Sequence, residues 1–194
     1  MVQQGSITGS VPFVAIGTSL GGTSALQALL PAFTPDFPGV VTLVFHHGQG
    51  SDETLARFLR KHCRLPVEEA HDKTPIRGGR LYYAPADYHL LVEDRHFALS
   101  TEAPVSYARP SIDVLFESAA EAYRQNAVGI VLTGAGQDGA RGLLEIKRRG
   151  GLTIAQMPAT AECPSMPKAA IATGAVDLTL TVAEIVPLLL KRRI

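Results

Sequence analysis

The sequence has no tryptophan, only two cysteines and no excess of charge of either sign. Its 18 basic and 18 acidic side chains balance to a formal net charge of zero. Proteins that bind nucleic acid carry an excess of basic side chains, so this balance argues against a nucleic-acid partner. No apolar run approaches the roughly 20 residues that a transmembrane helix needs, which argues against insertion into a membrane.

The cysteines, Cys63 and Cys163, are too few for a disulfide framework, and neither lies in a CxxC sequence. Free thiols are typical of a reducing compartment, so we predict a cytoplasmic location. Residues 1–12 are polar and lack the charged-then-apolar pattern of a signal peptide. We therefore predict a linker or disordered segment over residues 1–12 and one domain over residues 13–194.

Short apolar runs alternate with amphipathic helical patterns along most of the chain. The alternation is interrupted from Arg80 to Ser100, where two runs flank Asp94 and Arg95 in the pattern of an antiparallel hairpin. Alternating strands and helices predict a doubly wound, mostly parallel α/β sheet with helices on both faces. The predicted strands of this sheet are 13–16, 40–45, 67–70, 128–132, 152–155 and 176–180.

The loop after the first predicted strand, Gly17-Thr18-Ser19-Leu20-Gly21, fits the pattern G-x-S-x-G. Between a strand and a helix, this pattern places a serine on a sharp turn that exposes its hydroxyl. Backbone N–H groups at the start of the helix are suited to stabilise an oxyanion. The pattern alone also fits a glycine-rich turn that binds phosphate, or one that only packs.

A serine nucleophile needs a base, and two further polar side chains follow other predicted strands. His46 directly follows strand 40–45, and Asp138 lies in the glycine-rich loop after strand 128–132. Because the carboxyl ends of parallel strands meet at one edge, both are expected near Ser19. We predict that Nε2 of His46 approaches Ser19 Oγ and that Asp138 orients the imidazole. The alternatives are a structural histidine for His46 and a helix N-cap for Asp138.

His47 competes with His46 for the role of base on the strand pattern alone. Two adjacent histidines also raise the question of zinc, but neighbouring side chains on an extended backbone point to opposite faces. A catalytic zinc site has three protein ligands, and no third is evident, so we predict no metal and no cofactor. The remaining histidines are predicted to be surface or structural residues: His62, His71, His89 and His96.

Taken together, the motifs resemble the catalytic domain of the chemotaxis protein-glutamate methylesterase family, CheB. The resemblance extends from about Phe13 to Leu190 and rests on several motifs in the same order. They are IGTSLGG from residue 16, LYYAPADYH from 81, RPSIDVLF from 109, AVGIVLTGAGQDG from 127, IAQ from 154 and MP from 166. It implies the nucleophile at Ser19, the base at His46 rather than His47, and the orienting acid at Asp138.

The resemblance also implies a reaction and a partner. The reaction would be hydrolysis of γ-glutamyl methyl esters on the cytoplasmic helices of methylated chemoreceptors, with release of methanol and no cofactor. Some relatives also deamidate glutamine at those sites. The backbone N–H groups of Leu20, Gly21 and Ala135 would stabilise the oxyanion. Two alternatives stay open: a non-catalytic receptor-binding module on the same fold, and another acyl hydrolase or deamidase.

The departures from the family pattern surround the proposed site. Leu20 stands where the family usually has a small polar residue, Phe45 and His47 replace Gln and Met, and Gln137 replaces Asn; the segment 48–51 also differs. The three reacting groups are unchanged, so we expect altered substrate fit or rate. Many relatives carry a receiver domain that covers the site. No segment corresponds to it here, so activity is expected not to depend on phosphorylation.

Overall fold

The computed structural model describes residues 12–46 and 52–191. The strands are β1 Phe13–Thr18, β2 Val40–Phe45, β3 Val67–Glu69, β4 Arg80–Tyr83, β5 His89–Glu93, β6 His96–Ser100, β7 Ala127–Val131, β8 Leu152–Gln156 and β9 Leu178–Leu180. The α-helices are α1 Gly22–Leu29, α2 Asp52–His62, α3 Ile112–Tyr123, α4 Ala140–Arg148, α5 Ser165–Ala172 and α6 Val182–Lys191. Short 3₁₀ turns cover Leu30–Ala32, Arg124–Asn126 and Pro158–Thr160.

Seven strands form one parallel sheet in the order β3-β4-β2-β1-β7-β8-β9, and β5 and β6 form a separate antiparallel hairpin. The predicted doubly wound α/β fold and the hairpin around Asp94 and Arg95 are therefore confirmed. Strand β4 was not predicted. It lies inside the sheet between β2 and β3, and its buried apolar run, Leu81, Tyr82 and Tyr83, is only three residues long, which is too short to stand out in the sequence.

The sheet has an apolar core on each face, as the alternation along β1 shows. Val14 and Ile16 pack with α1, α2 and α6, whereas Phe13 and Ala15 pack with α3, α4, α5 and the β5–β6 hairpin. A central parallel strand covered on both faces reads as a continuous apolar run, which is why β1 was predictable from sequence. Burial of each large apolar side chain stabilises the fold by roughly 1.5–3 kcal/mol.

Only the last residue of the predicted linker lies in the described part of the chain. Pro12 is buried, and its carbonyl oxygen accepts a hydrogen bond of 2.9 Å from the Val40 amide. Pro12 therefore belongs to the folded domain, whereas residues 1–11 lie outside the described residues. Across the described ranges, each helix is too short or too polar to cross a bilayer.

Candidate active site

Ser19 and His46 occupy equivalent positions at the carboxyl edge of the sheet. Strands β1 and β2 pair in parallel register, with Thr18 opposite Phe45. Each strand continues by one residue, to Ser19 and to His46, and the His46 amide donates to the Thr18 carbonyl oxygen at 3.0 Å. Neighbouring strands lie about 4.8 Å apart, so the two residues lie side by side. Asp138 is in the loop after β7, the other neighbour of β1.

The turn that carries Ser19 is held by the loop after β7. The Ser19 amide donates to the Thr133 carbonyl oxygen at 3.0 Å, and the Thr18 hydroxyl donates to the same oxygen at 2.9 Å. The Thr133 hydroxyl in turn donates to the Leu20 carbonyl oxygen at 2.9 Å. These hydrogen bonds thus hold the chain both before Ser19 and after it.

Gly134 allows this close approach of the two loops. A Cβ at position 134 would lie 2.1 Å from the sulfur of Met166 and 2.9 Å from the Ser19 Cβ. Contacts this short do not occur between real side chains, so the position requires glycine. Met166 is fully buried beneath the loop, and it is a site neighbour that the strand pattern did not indicate.

Three backbone N–H groups near Ser19 are open. The amides of Leu20, Gly21 and Ala135 donate to no acceptor among the residues that the structure describes. Gly21 adopts the left-handed conformation, with φ 79°, as the N-cap of α1. These are the three predicted oxyanion donors, and their N–H groups are free to receive a ligand oxygen.

His46 and Asp138 are joined by a hydrogen bond of 2.9 Å between Nε2 and Oδ2. His46 is 19% exposed and Asp138 is 3% exposed, so the bond is largely shielded from water. The expectation that Nε2 faces Ser19 is wrong, because Asp138 occupies that nitrogen. With the proton on Nε2, the nitrogen left for Ser19 is Nδ1, in the basic form of the ring.

The Asp138 carboxylate also accepts hydrogen bonds from the first turn of α3. The Ser111 hydroxyl donates to Oδ1 at 2.8 Å, the Ile112 amide to Oδ2 at 2.7 Å and the Asp113 amide to Oδ1 at 3.0 Å. Burial opposes ionisation of Asp138. The hydrogen bonds from His46 and from the two amides outweigh burial and hold the pKa of Asp138 below its ordinary value.

The alternative structural role considered for Asp138 is corrected in one detail. The N-cap of the following helix, α4, is Gly139 and not Asp138. Asp138 instead stabilises the N-terminus of α3, for which Ser111 is the N-cap. A negative charge at a helix N-terminus is favourable, and the same bonds orient the carboxylate toward His46.

Asp113 makes the reciprocal arrangement and was not singled out in the sequence. Its Oδ1 accepts from the amides of Gly139 at 2.9 Å and Gly142 at 2.8 Å, at the start of α4. Helices α3 and α4 therefore each receive a buried carboxylate from the other's N-terminal segment. Burial raises the pKa of Asp113 to about 6, opposed by the Gly142 amide and reinforced by the charge of Asp138. The motif RPSIDVLF contains this residue and was the available signal.

We call Ser111, Asp113, Thr133, Gly134 and Asp138 the site floor, since all five are buried. His89 supports the site floor from outside: it is buried, and its Nδ1 accepts from the Ser111 amide at 3.2 Å. The structural role predicted for His89 is thus confirmed.

A cavity of about 470 Å³ opens above the site floor, lined by His46, Asp138 and the two segments 106–110 and 135–137. We call the exposed residues Leu20, Tyr107 and Gln137 the site rim. A larger cavity of about 790 Å³ lies near the amino ends of the strands, beside Val40 and Tyr123, and none of the predicted site residues lines it. Ligands of parallel sheets bind at the carboxyl edge, so the smaller cavity is the candidate active site.

Two further predictions concern the alternative base, His47, and a metal site. His47 and the segment 48–51 lie outside the described residues. Within ranges 12–46 and 52–191, no three His, Cys, Asp or Glu side chains are grouped so that they could hold a metal ion.

A serine, a histidine and an aspartate at the carboxyl edge of a doubly wound sheet are the arrangement typical of α/β serine hydrolases. The sequence profile of CheB methylesterase matches residues 14–189. The chain belongs to the CheB methylesterase family.

Named relatives agree with this membership. The chain is 42% identical over 179 residues to a putative protein-glutamate methylesterase/protein-glutamine glutaminase of Leptospira interrogans, covering 92% of this chain and 93% of the relative. It is 45% identical over 175 residues to protein-glutamate methylesterase/protein-glutamine glutaminase 2 of Anaeromyxobacter dehalogenans. That match covers 90% of this chain but only 51% of the relative.

The crystal structure of the Thermotoga maritima CheB methylesterase catalytic domain superimposes with a TM-score of 0.90 at 32% identity. The superposition covers 94% of this chain and 98% of that domain. Fold and family therefore agree, and the relatives' names give the class of enzyme, a protein-glutamate methylesterase.

Proposed function

We propose that this protein hydrolyses γ-glutamyl methyl esters on the cytoplasmic helices of methylated chemoreceptors, with Ser19, His46 and Asp138 as a catalytic triad. The observation that carries the proposal is the 2.9 Å bond between His46 and buried Asp138, directly beside Ser19 at the paired end of β1 and β2. The relatives named above are methylesterases, which supports the choice of reaction. The protein would act in the cytoplasm, where these receptor helices lie.

In the first half of the reaction, Nδ1 of His46 takes the proton of the Ser19 hydroxyl as its oxygen attacks the ester carbonyl carbon. The charge that develops on the carbonyl oxygen is stabilised by the open amides of Leu20, Gly21 and Ala135. The imidazolium then protonates the departing methoxide, which leaves as methanol, and the glutamyl group remains esterified to Ser19.

In the second half, His46 takes a proton from a water molecule, whose oxygen attacks the glutamyl–Ser19 ester. Collapse of this intermediate returns a proton from the imidazolium to Ser19 and releases free glutamate. Asp138 remains ionised throughout, as its lowered pKa favours, and it stabilises the imidazolium in both steps. Ammonia in place of methanol as the leaving group gives glutamine deamidation by the same steps.

The test is methanol release from a chemoreceptor cytoplasmic fragment that has been methylated in vitro. We expect turnover by the native chain and a loss on the order of 10⁴-fold or more in Ser19→Ala, since removal of the nucleophile removes the whole triad's contribution. Ser24→Ala is the matched control, because Ser24 is exposed on α1, the helix that follows the Ser19 turn, and the variant should retain full activity.

A folded native chain that binds the methylated fragment without releasing methanol would identify a receptor-binding module instead. Cleavage of small synthetic esters without cleavage of the receptor ester would indicate another acyl hydrolase on the same scaffold. Either outcome overturns the proposed substrate, and only the first also removes the catalytic role of Ser19.

A further inference from the structure

A tight turn over residues 105–108 stands at the edge of the candidate active-site cavity. Val105 and Ala108 exchange two backbone hydrogen bonds of 3.1 and 2.9 Å. The two residues between them, Ser106 and Tyr107, have positive φ values of 51° and 63°. Positive φ at both central residues defines a type I′ turn, in which Asn-Gly is strongly preferred. The chain keeps a tyrosine here although a glycine would suit the backbone better.

The Tyr107 side chain at the tip of the turn is fully exposed to solvent. Arg109, the residue after the turn, ties this segment to the chain before it: its Nη1 donates to the carbonyl oxygens of Thr101 at 2.9 Å and Glu102 at 3.1 Å. The chain then continues through Pro110 into the site floor. The point of the backbone from which the ring projects is therefore fixed relative to His46 and Asp138, with which the turn lines one cavity.

Among the described residues that line the cavity, the only charged side chain apart from the reacting groups is Arg109, whose guanidinium donates to backbone carbonyls. The other lining residues are Ser106, Tyr107, Ala108, Pro110, Ala135, Gly136 and Gln137. A partner at this wall would be recognised by apolar contact and hydrogen bonding rather than by opposite charge. Exposed tyrosines are common anchors of such contacts.

We propose that the turn 105–108 is a docking element for the protein substrate, in which the Tyr107 ring packs on an apolar side chain next to the esterified glutamate. A segment that brings its ester to Ser19 enters the cavity beside this ring. Leu20, which directly follows Ser19 and is 59% exposed, gives that segment a second apolar contact. The inference rests on the proposed function, and it assigns substrate recognition to residues outside the triad.

The experiment compares two substrates in each variant: the in vitro methylated chemoreceptor fragment and p-nitrophenyl acetate, which has no protein segment to place against the turn. In Tyr107→Ala we expect the ratio of the two kcat/KM values to fall about tenfold, mainly through KM for the fragment. The fall should be the same at low and high salt, because the contact is apolar.

Three further variants separate the ring from the turn. Tyr107→Phe keeps the ring and should keep the native ratio. The double variant Ser106→Asn with Tyr107→Gly introduces the preferred type I′ residues, so it should stabilise the turn. Because it lacks the ring, its ratio of kcat/KM values should still fall about tenfold. Tyr88→Ala is the matched control, since Tyr88 is exposed but does not line the cavity, and its ratio should stay native.

An equal fall with both substrates would show that Tyr107 acts on the reacting groups, and it would overturn the docking role. Native ratios in all variants would also overturn it, even if the native chain releases methanol as proposed. If the native chain cleaves p-nitrophenyl acetate but not the fragment, the proposed function fails instead. In that case binding of the fragment by Ser19→Ala, and its loss on adding Tyr107→Ala, would show docking without hydrolysis.

Discussion

The site floor and the site rim differ in how their side chains are satisfied. In the site floor, the Asp138 carboxylate is 3% exposed and accepts hydrogen bonds from His46, from the Ser111 hydroxyl and from two amides at the start of α3. In the site rim, Leu20 and Tyr107 are exposed. A buried carboxylate with many donors has one allowed orientation, whereas an exposed side chain is constrained only by its own backbone.

This difference separates the two requirements of a protein-modifying hydrolase. The reacting atoms must be held within a fraction of an ångström, which the backbone amides of the site floor can do. The partner must be recognised over a wider surface, which the site rim can do without disturbing the reacting groups. Changes in the site floor should therefore reduce kcat, and changes in the site rim should reduce the preference for one substrate.

The largest effect that tests this separation is expected for Asp138→Asn. The amide would keep the size of the side chain but lose the charge that, in the proposed mechanism, orients and stabilises the His46 imidazolium. We expect kcat for both the receptor fragment and a small ester to fall on the order of 10³–10⁴-fold. Steady-state kinetics with both substrates measure the effect.

Asp94→Asn is the control for that change, because Asp94 lies in the β5–β6 turn, away from the carboxyl edge of the sheet. Native kinetics are expected for it. If Asp138→Asn lost activity toward the receptor fragment alone, Asp138 would act in substrate recognition. The separation of the functions of site floor and site rim would then be wrong.

A smaller loss is expected for Gly134→Ala. The added Cβ would lie 2.9 Å from the Ser19 Cβ and 2.1 Å from the Met166 sulfur, so the Ser19 turn must shift. A displacement of about 1 Å at Ser19, the proposed nucleophile, is expected to reduce kcat about 10²-fold with little change in KM. The measurement is kcat and KM with the small ester.

Gly129→Ala is the matched control for Gly134→Ala. Its Cβ would lie 2.5 Å from Leu143 and 2.6 Å from Ile146, in the core rather than at Ser19. It should lower the unfolding temperature and leave kcat per folded molecule near the native value. A comparable loss of kcat in both glycine variants would mean that global loosening, and not displacement of Ser19, explains the result.

The parts that the sequence indicated are those that depend on chain order. Ser19, His46 and Asp138 each follow a strand, and a parallel sheet brings such positions to one edge whatever the details of packing. The short strand β4 was missed because only three of its residues, Leu81, Tyr82 and Tyr83, form the apolar run, which is shorter than the runs of β1 and β2. The prediction that Nε2 of His46 faces Ser19 was also wrong, because the rotation of the imidazole depends on a contact with Asp138, which is distant in sequence.

The contacts of Asp113 and Tyr107 could not be derived from local sequence patterns, for two different physical reasons. Asp113 acts on α4 from the first turn of α3, across a packing contact that no local pattern encodes. Tyr107 depends on a pair of positive φ values at residues whose types do not favour them. The contact between the two helices and the two φ values are visible only in the three-dimensional structure.

The smallest expected effect concerns the pH dependence of stability, and it contrasts the two carboxylates of the site floor. The pKa of Asp113 is raised to about 6 by burial, so the folded state binds this proton more tightly than the unfolded state. Its contribution is therefore most favourable below the ordinary carboxyl pKa and is lost as pH rises through about 6. Asp138 behaves oppositely: its lowered pKa stabilises the fold above the ordinary value, and this is lost at lower pH.

Asp113→Asn keeps an oxygen that can accept from the Gly139 and Gly142 amides and removes the charge. The unfolding free energy of the variant, relative to the native chain, should therefore rise between about pH 4 and about pH 7, by up to about 3 kcal/mol. Asp138→Asn should show almost no such rise over this range, because the lowered pKa of Asp138 places the pH window of its contribution below the ordinary carboxyl pKa. Urea unfolding at the two pH values measures both. A rise of similar size in both variants would mean that the two carboxylates do not differ in charge state, and that the site floor does not keep Asp138 ionised.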